Sequence, residues 1–188
     1  MNFEQDIEKC LAVLRTGGLI LYPTDTVWGI GCDATNEKAV ERVYALKQRA
    51  DSKALIVLVA NERDILHYTA APDLAVFDYL QTAAKPTTVI YDGAIGLAGN
   101  LVAPDGSIGI RICAEAFCKN LIRRFRKPLV STSANISGEP APGIFSAISE
   151  PVKQGVDYIV RYRQDDNHPA QPSSVIRWDN GKVVVLRP

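Results

Sequence analysis

The sequence predicts a mixed α/β domain whose sheet contains several strands, and three observations lead to this fold class. In some segments apolar residues recur three or four apart, which is the spacing of an amphipathic helix. Other segments are short and continuously apolar, as strands covered on both faces usually are. The chain has 188 residues, of which 47% are hydrophobic and 22% charged. This is enough apolar material for one core, so we expect a single domain over residues 1–188.

The helices are predicted from apolar spacing and from residues that favour helix ends. Residues 3–15 carry apolar side chains at helical spacing, and Gly17 follows as a stop signal. Thr35 and Asn36 are candidates for the N-cap of a second helix that extends to Lys47. Further helices are expected at 61–67, 73–82 and 114–125.

Strands are predicted where short apolar runs lie between turn residues. These runs are 19–22, 54–59, 87–91, 107–112, 128–131, 158–162, 174–178 and 183–186. Asn180-Gly181 predicts a tight hairpin turn before the last strand, because both residues tolerate the positive φ angles of a type I′ turn. Residues 92–106 contain four glycines and are expected to form a mobile loop.

Charge and cysteine content exclude several classes of protein. Lys+Arg and Asp+Glu each total 21, whereas a protein that only coats nucleic acid usually has a basic excess. Any RNA contact is therefore expected to be local or weak. No C-x-x-C pair occurs and the two histidines lie far apart, so a zinc site or other protein-held metal is not predicted. Without a signal-peptide core or an apolar run near ~20 residues, we expect no membrane association, reduced thiols and a cytoplasmic location.

Four segments place polar or cationic side chains where predicted strands end, which is where open α/β sheets usually bind ligands. They are 23–31, the cations Lys47, Arg49 and Lys53, the pair Ser107 and Arg111, and 131–138. Each has an ordinary alternative. The cations could be a solvated helix end, residues 131–135 could be a capped turn, and Asp25 could be a turn residue or a metal ligand.

Several other features have a structural explanation when taken alone. The basic run 123–127 closes a predicted helix, where cations complement the helix dipole. Cys113 and Cys118 are predicted to be packing thiols, and neither histidine has a partner at ligand or triad spacing. The phosphate-loop, dinucleotide-binding and nucleophile-elbow motifs are all absent from the sequence. General motifs therefore do not predict ATP binding.

Six segments carry a further pattern, namely 22–34, Lys47-x-Arg49, 107–111, 131–138, 172–175 and Leu186-Arg187. Together they resemble the YrdC family. Their order and spacing fit from about residue 7 onward, and unrelated chains rarely repeat both. The resemblance implies a YrdC-like twisted mixed sheet with flanking helices around a deep, basic-lined cavity. It also implies a threonylcarbamoyl-AMP synthase, which converts L-threonine, bicarbonate and ATP to L-threonylcarbamoyladenylate and pyrophosphate for the t6A modification of tRNA.

The resemblance further implies two sets of site residues. Threonine binding is assigned to Thr26, Arg111, Ser131 and Ser173, and ATP binding to Lys47, Arg49, Lys53, Ser107, Ser133, Asn135 and Arg187, with Lys47 and Arg49 as the catalytic pair. Phosphoryl transfer depends on positioning and charge neutralisation more than on an acid or base, which suits these residue types. Mg²⁺ is expected to accompany ATP, and tRNA-modifying transferases are expected as downstream partners.

Two departures from the family pattern and two alternatives remain. Ala141 stands where many members have Ser, and residues 84–88 lack the usual Pro-Gly-Pro run. One alternative is a YrdC-like paralogue without this activity, although the chain keeps the Lys-x-Arg and Ser-x-Asn pairs. The other is a module that binds structured RNA, which the zero net charge disfavours.

Overall fold

The computed structural model describes residues 3–48, 55–179 and 181–188. Within these ranges the chain forms six α-helices, nine strands and two short 3₁₀ helices at Gly99–Leu101 and Phe145–Ala147. In chain order the elements are α1 (Glu4–Arg15), β1 (Ile20–Tyr22), β2 (Gly29–Gly31), α2 (Glu37–Lys47), β3 (Ile56–Val59), α3 (Glu62–Ile65), α4 (Ala75–Thr82), β4 (Thr87–Tyr91), β5 (Ile108–Ile112), α5 (Ala116–Phe125), β6 (Leu129–Ser133), α6 (Glu150–Gln154), β7 (Tyr158–Ile159), β8 (Ser174–Asp179) and β9 (Lys182–Arg187).

The strands of the described ranges form one mixed sheet in the order β7-β1-β2-β6-β3-β5-β4-β8-β9. The pairs β1–β7, β3–β5 and β4–β8 are parallel, and the other neighbours are antiparallel. The predicted mixed α/β fold is therefore confirmed. This order places β6 between β2 and β3, so a strand from late in the chain lies beside strands from its first third.

Local sequence explains the two helices that flank the early strands. In α1 the residues at helical spacing, from Ile7 to Leu14, are buried against the core. Of the two N-cap candidates for α2, Asn36 caps the helix, because its Oδ1 accepts a hydrogen bond from the Ala39 amide at 3.2 Å. The helix ends at Lys47, and Gln48 adopts the left-handed conformation with φ 51°. No helix in the described ranges has the length and apolar character needed to cross a bilayer.

Three segments differ from the sequence-based expectation. The strand β2 was not predicted, because its Gly-Ile-Gly sequence is poor in strand-forming residues. The predicted strand at 158–162 is shorter, and only Tyr158–Ile159 pairs with β1. Residues 92–106 are tied to the rest of the protein: the Ala98 amide donates to the Ala34 carbonyl at 2.9 Å, and the Ile95 amide to the Tyr68 carbonyl at 3.0 Å.

A glycine in β2 is required by the close approach of Tyr22. This tyrosine is fully buried, and its hydroxyl donates to the Val130 carbonyl at 3.1 Å. A Cβ atom on Gly31 would lie 2.5 Å from a ring carbon of Tyr22 and 2.8 Å from the Val130 oxygen. Both distances are shorter than van der Waals contact, so β2 accepts no side chain at this position.

We therefore expect Gly31→Ala to lower the free energy of unfolding by about 1–3 kcal/mol, which is the usual cost of overpacking. Urea unfolding of the variant and of the parent protein measures this difference. Gly143→Ala is a matched control, since the nearest atoms to its added Cβ lie at an ordinary 3.5 Å. Equal stability of the two variants would contradict the packing argument.

Candidate functional site

A cavity of about 220 Å³ lies where several strands and loops meet. Six of the eleven predicted site residues line it, and they come from five separate parts of the chain. These residues are Thr26 from the β1–β2 loop, Arg111 from β5, Ser131 and Ser133 from β6, Ser173 from the segment before β8, and Arg187 from β9. Apolar groups complete the wall, among them Leu55 and the Trp28 ring, which packs against Phe145 at 4.8 Å between centroids.

Arg111 is the more deeply buried of the two arginines that line this cavity, and it forms an ion pair. One of its terminal nitrogens lies 3.1 Å from Asp25 Oδ1, and the two side chains are 3% and 10% exposed. The other oxygen of Asp25 accepts from the Ala114 amide at 2.9 Å, and the Cys113 thiol donates to Oδ1 at 3.3 Å. The sequence left open whether Asp25 is a turn residue or a metal ligand. In the structure it forms an ion pair that fixes the position of Arg111.

One donor of Arg111 has no acceptor in the described protein. Its Nε atom is buried and has no hydrogen-bond partner among the described residues. A buried guanidinium donor without an acceptor is costly, and a carboxylate is the acceptor whose shape matches the guanidinium fork. Arg111 lines the cavity, so its guanidinium is the group there whose shape best suits a carboxylate.

The second arginine of the cavity, Arg187, lies at its rim and is held by the segment before β8. Its Nε and one terminal nitrogen donate to the Ser173 carbonyl at 3.1 and 2.8 Å. The Ser173 hydroxyl in turn lies 2.9 Å from the Thr88 hydroxyl. Burial lowers the pKa of Arg187, and the positive charge of Arg111 lowers it further. The two arginines therefore share one electrostatic environment, which favours an anionic ligand.

Hydrogen bonds made by its own hydroxyl groups hold the loop between β1 and β2 in place. The Thr24 hydroxyl donates to the Val27 carbonyl at 2.9 Å and accepts from the Thr26 amide at 3.0 Å. The Thr24 and Thr26 hydroxyls are 3.0 Å apart, and Arg163 donates to the Thr24 carbonyl at 3.0 Å. These bonds fix the Thr26 side chain at the cavity wall.

Lys47 has a different environment from the one expected of a solvated helix end. The residue is 1% exposed, and its ammonium donates to the carbonyls of Ser133 at 2.6 Å and Asn135 at 2.7 Å. The Asn135 Oδ1 lies 3.4 Å away, and the Lys47 carbonyl accepts from the Ser137 amide at 2.9 Å. The solvated alternative is therefore wrong for Lys47, which joins the end of α2 to the segment after β6.

Asn135 does not line the cavity, and its side chain closes the loop that follows β6. Its Nδ2 donates to the Glu139 carbonyl at 2.7 Å and to the Ile136 carbonyl at 3.0 Å. Asn135 thus acts as a turn residue in the structure, which was one of its two predicted roles. Its assignment as an ATP ligand stays a prediction.

We expect Asn135→Ala to lower the free energy of unfolding by about 1–3 kcal/mol, because two hydrogen bonds worth about 0.5–1.5 kcal/mol each are lost. Thermal unfolding and ATP titration of the same variant measure the two effects separately. Asn120→Ala is the control, since Asn120 is exposed and bonds only to its own helix at the Ala116 carbonyl. Unchanged stability together with weaker ATP binding would favour the ligand assignment instead.

Three further predicted site residues lie elsewhere or outside the described chain. Ser107 lies immediately before β5 and is buried, but it does not line the cavity. Its amide and hydroxyl both donate to Asp105 Oδ1, at 3.0 and 2.6 Å. Arg49 and Lys53 lie outside the described residues, and their roles stay predictions.

The donor groups of the cavity do not suit a metal held by protein. Among residues 3–48, 55–179 and 181–188, no cluster of three His, Cys, Asp or Glu side chains could hold an ion. Both oxygens of Asp25, the carboxylate beside the cavity, are already engaged by Arg111 and the Ala114 amide. Hydroxyl and guanidinium groups form most of the polar wall, which suits an anion better than a cation.

Comparison with known proteins gives consistent matches over most of the chain. The Sua5_yciO_yrdC family model, described as "Telomere recombination", matches residues 12–188. The chain is 32% identical over 186 residues to the threonylcarbamoyl-AMP synthase of Pseudoalteromonas translucida, covering 97% of this chain and 98% of that protein. It is 36% identical over 140 residues to the threonylcarbamoyl-AMP synthase of Stenotrophomonas maltophilia, covering 73% and 75%.

Among solved structures, the fold matches the crystal structure of P. abyssi Sua5 complexed with L-threonine. The TM-score is 0.85 at 25% sequence identity, and the match covers 98% of this chain but 54% of that one. The chain therefore spans about half the length of this structural relative.

Proposed function

We propose that this chain, which belongs to the Sua5/YciO/YrdC family, is a threonylcarbamoyl-AMP synthase. The observation that carries the proposal is the cavity at the ends of β5, β6 and β9. It combines two arginines, several hydroxyl groups and an apolar wall in one space. This is the set of groups needed to hold a carboxylate, a phosphate chain and a small side chain together.

The threonine half of the site is proposed to centre on Arg111. Its buried Nε is available to a carboxylate, while Asp25 holds the rest of the guanidinium in place. Thr26, Ser131 and Ser173 line the same cavity and could bond the amino and hydroxyl groups of threonine. An apolar contact to the threonine methyl would distinguish it from serine by only roughly 1–3 kcal/mol.

The ATP half is proposed to involve Ser133 and Arg187, which line the cavity, together with Arg49, Lys53 and Ser107. Lys47 and Asn135 fit a positioning role, since they hold the segment that carries Ser133. Ala141 lines the cavity without a polar side chain, so it offers no side-chain hydrogen bond to the nucleotide. Mg²⁺ would be held by the phosphates of ATP and would supply charge neutralisation there, and no side chain of this cavity is proposed as its ligand.

In the proposed reaction the threonine nitrogen bonds to the carbon of bicarbonate, and water leaves to give a carbamate. A carbamate oxygen then bonds to the α-phosphorus of ATP, and the bond to pyrophosphate breaks. The products are threonylcarbamoyl-AMP, pyrophosphate and water. The protein contributes orientation and positive charge, which such a transfer needs more than a proton donor.

The proposal is tested by mass spectrometry of a mixture of the protein with ATP, L-threonine and bicarbonate, together with an assay of pyrophosphate. We expect the adenylate product, and pyrophosphate release that requires threonine and bicarbonate together. Release with ATP alone, or equally well with serine, would argue against the assignment.

The same proposal includes a role for the product in tRNA modification. The product would pass to a transferase that modifies tRNA in the cytoplasm, and direct contact with tRNA would be weak. An RNA-binding module would instead lose affinity for RNA steeply as salt increases, because bound phosphates release counterions. Binding that falls steeply with salt, without adenylate formation, would favour this alternative.

A further inference from the structure

A second cleft, of about 320 Å³, opens at the other end of β3. Ile56, at the start of this strand, lines the cavity described above, whereas Val59, at its end, lines the cleft. Three steps along a strand cover about 10 Å, so the two spaces are separate. We call this space the basic cleft, and the residues that matter for it are Asp64, His67, Tyr68, Arg123, Arg126 and Lys127.

Cations dominate the basic cleft. Lys127 is paired with Asp33, 2.6 Å from its Oδ2 atom. The side chains of Arg123 and Arg126, by contrast, make no ion pair or hydrogen bond to any residue in the described part of the chain. Arg124, on the same helix end, points away and pairs with two glutamates of α1, Glu4 and Glu8. Of the three arginines at this helix end, the two without a partner among the described residues are therefore the two that line the cleft.

Helix stability alone does not account for these arginines. Cations near a helix C-terminus do complement the dipole, and this applies to Arg123 in the last turn of α5. Arg126, however, is the C-cap residue with φ 62°, a conformation that favours Gly or Asn. A long cationic side chain is unusual there, and Arg126 lines the cleft.

The other groups of the cleft are compatible with an anion. The one carboxylate among the residues named above, Asp64, directs Oδ2 at the amides of Ala60 and Asn61, at 3.0 and 3.3 Å. Its Oδ2 atom is thus engaged as an acceptor at the N-terminus of α3. The rings of His67 and Tyr68 lie 6.4 Å apart at 70° and offer flat surfaces beside the cations.

We propose that the basic cleft is a second binding site, for the phosphate group of a small organic phosphate such as a nucleoside monophosphate. Two arginine forks bind a phosphate, and the neighbouring rings contact a flat base. A small ligand fits better than an RNA strand, since the cations lie within five residues, 123–127, and the net charge of the chain is zero. The site is independent of the reaction proposed for the cavity.

Histidine resonances in proton NMR test the proposal without any activity assay. The chain has two histidines, of which His67 lines the cleft and His168 lies beside Asp166. We expect AMP, and more weakly inorganic phosphate, to shift the His67 ring protons in a saturable way and to leave those of His168 in place. Arg123→Ala with Arg126→Asn should weaken AMP binding by at least roughly tenfold, and asparagine tolerates the left-handed conformation at 126.

Arg124→Ala is the matched control, because it removes one cation from the same helix end outside the cleft. It should leave the AMP titration of His67 unchanged. A His67 signal that does not move, or equal AMP affinity in the double variant and the parent, would overturn the proposal. So would a shift caused by an RNA oligonucleotide and not by AMP, since the cleft would then serve a macromolecule.

Discussion

Replacement of Arg111 by alanine is expected to lower kcat/KM for threonine by roughly 10²–10³-fold, because truncating one partner of a buried hydrogen-bonded charge pair costs about 2–5 kcal/mol of binding. The reason is the buried Nε atom, which has no acceptor in the described protein and would meet the threonine carboxylate in the proposed complex. Most of the loss should appear as a higher KM for threonine, because the carboxylate is bound in the ground state as well. Steady-state assays of pyrophosphate release measure both constants.

The same substitution leaves Asp25 buried without its cation, which typically costs about 3–5 kcal/mol of stability. The double variant Arg111→Ala with Asp25→Asn removes both charges and should recover part of that stability but none of the threonine binding. Arg42→Ala is the control, since Arg42 pairs with Asp157 at the surface. Threonine kinetics unchanged in a folded Arg111 variant would remove this residue from the proposed site.

Lys47→Met is expected to give the second large effect, on stability and turnover together. Methionine has a similar volume, but two carbonyl oxygens at 2.6 and 2.7 Å would lose a charged donor. Each unsatisfied buried group costs roughly 1–3 kcal/mol, so the free energy of unfolding should fall by several kcal/mol. Turnover should fall by roughly 10²-fold, because Ser133 would no longer be held at the cavity wall.

Lys38→Met provides the comparison, since Lys38 lies on the exposed face of the same helix. It should match the parent protein in urea unfolding and in pyrophosphate release. If Lys47→Met loses turnover without losing stability, Lys47 acts on the nucleotide directly and not through the segment after β6.

Elements that depend on local sequence were predictable, and those that depend on distant packing were not. The helix α2 follows from the spacing of its apolar residues and from the Asn36 cap, both of which lie within a few residues. The strand β2 does not, because Gly31 is selected by the Tyr22 ring of the neighbouring strand. Local propensity is a weak guide wherever such a contact decides the residue type.

In the candidate site, too, the contacts between residues distant in sequence could not be predicted. Family resemblance indicated six residues that line the cavity, but it did not indicate which groups hold them. Asp25 and the Ala114 amide are 89 residues apart in sequence, and Lys47 and Asn135 are 88 apart. No periodic pattern in the sequence predicts either of these contacts. A buried lysine at the end of an amphipathic helix is indistinguishable by spacing from a solvated one.

The strand order has a consequence for how the cavity forms. Bonds around it join residues 88, 108 and 139 positions apart, namely Lys47 with Asn135, Tyr22 with Val130, and Thr24 with Arg163. Closing such long loops costs entropy before any contact is gained, and folding dominated by distant pairing is slow. During refolding from urea, threonine binding should therefore recover with the slowest major phase, after helical circular dichroism has returned.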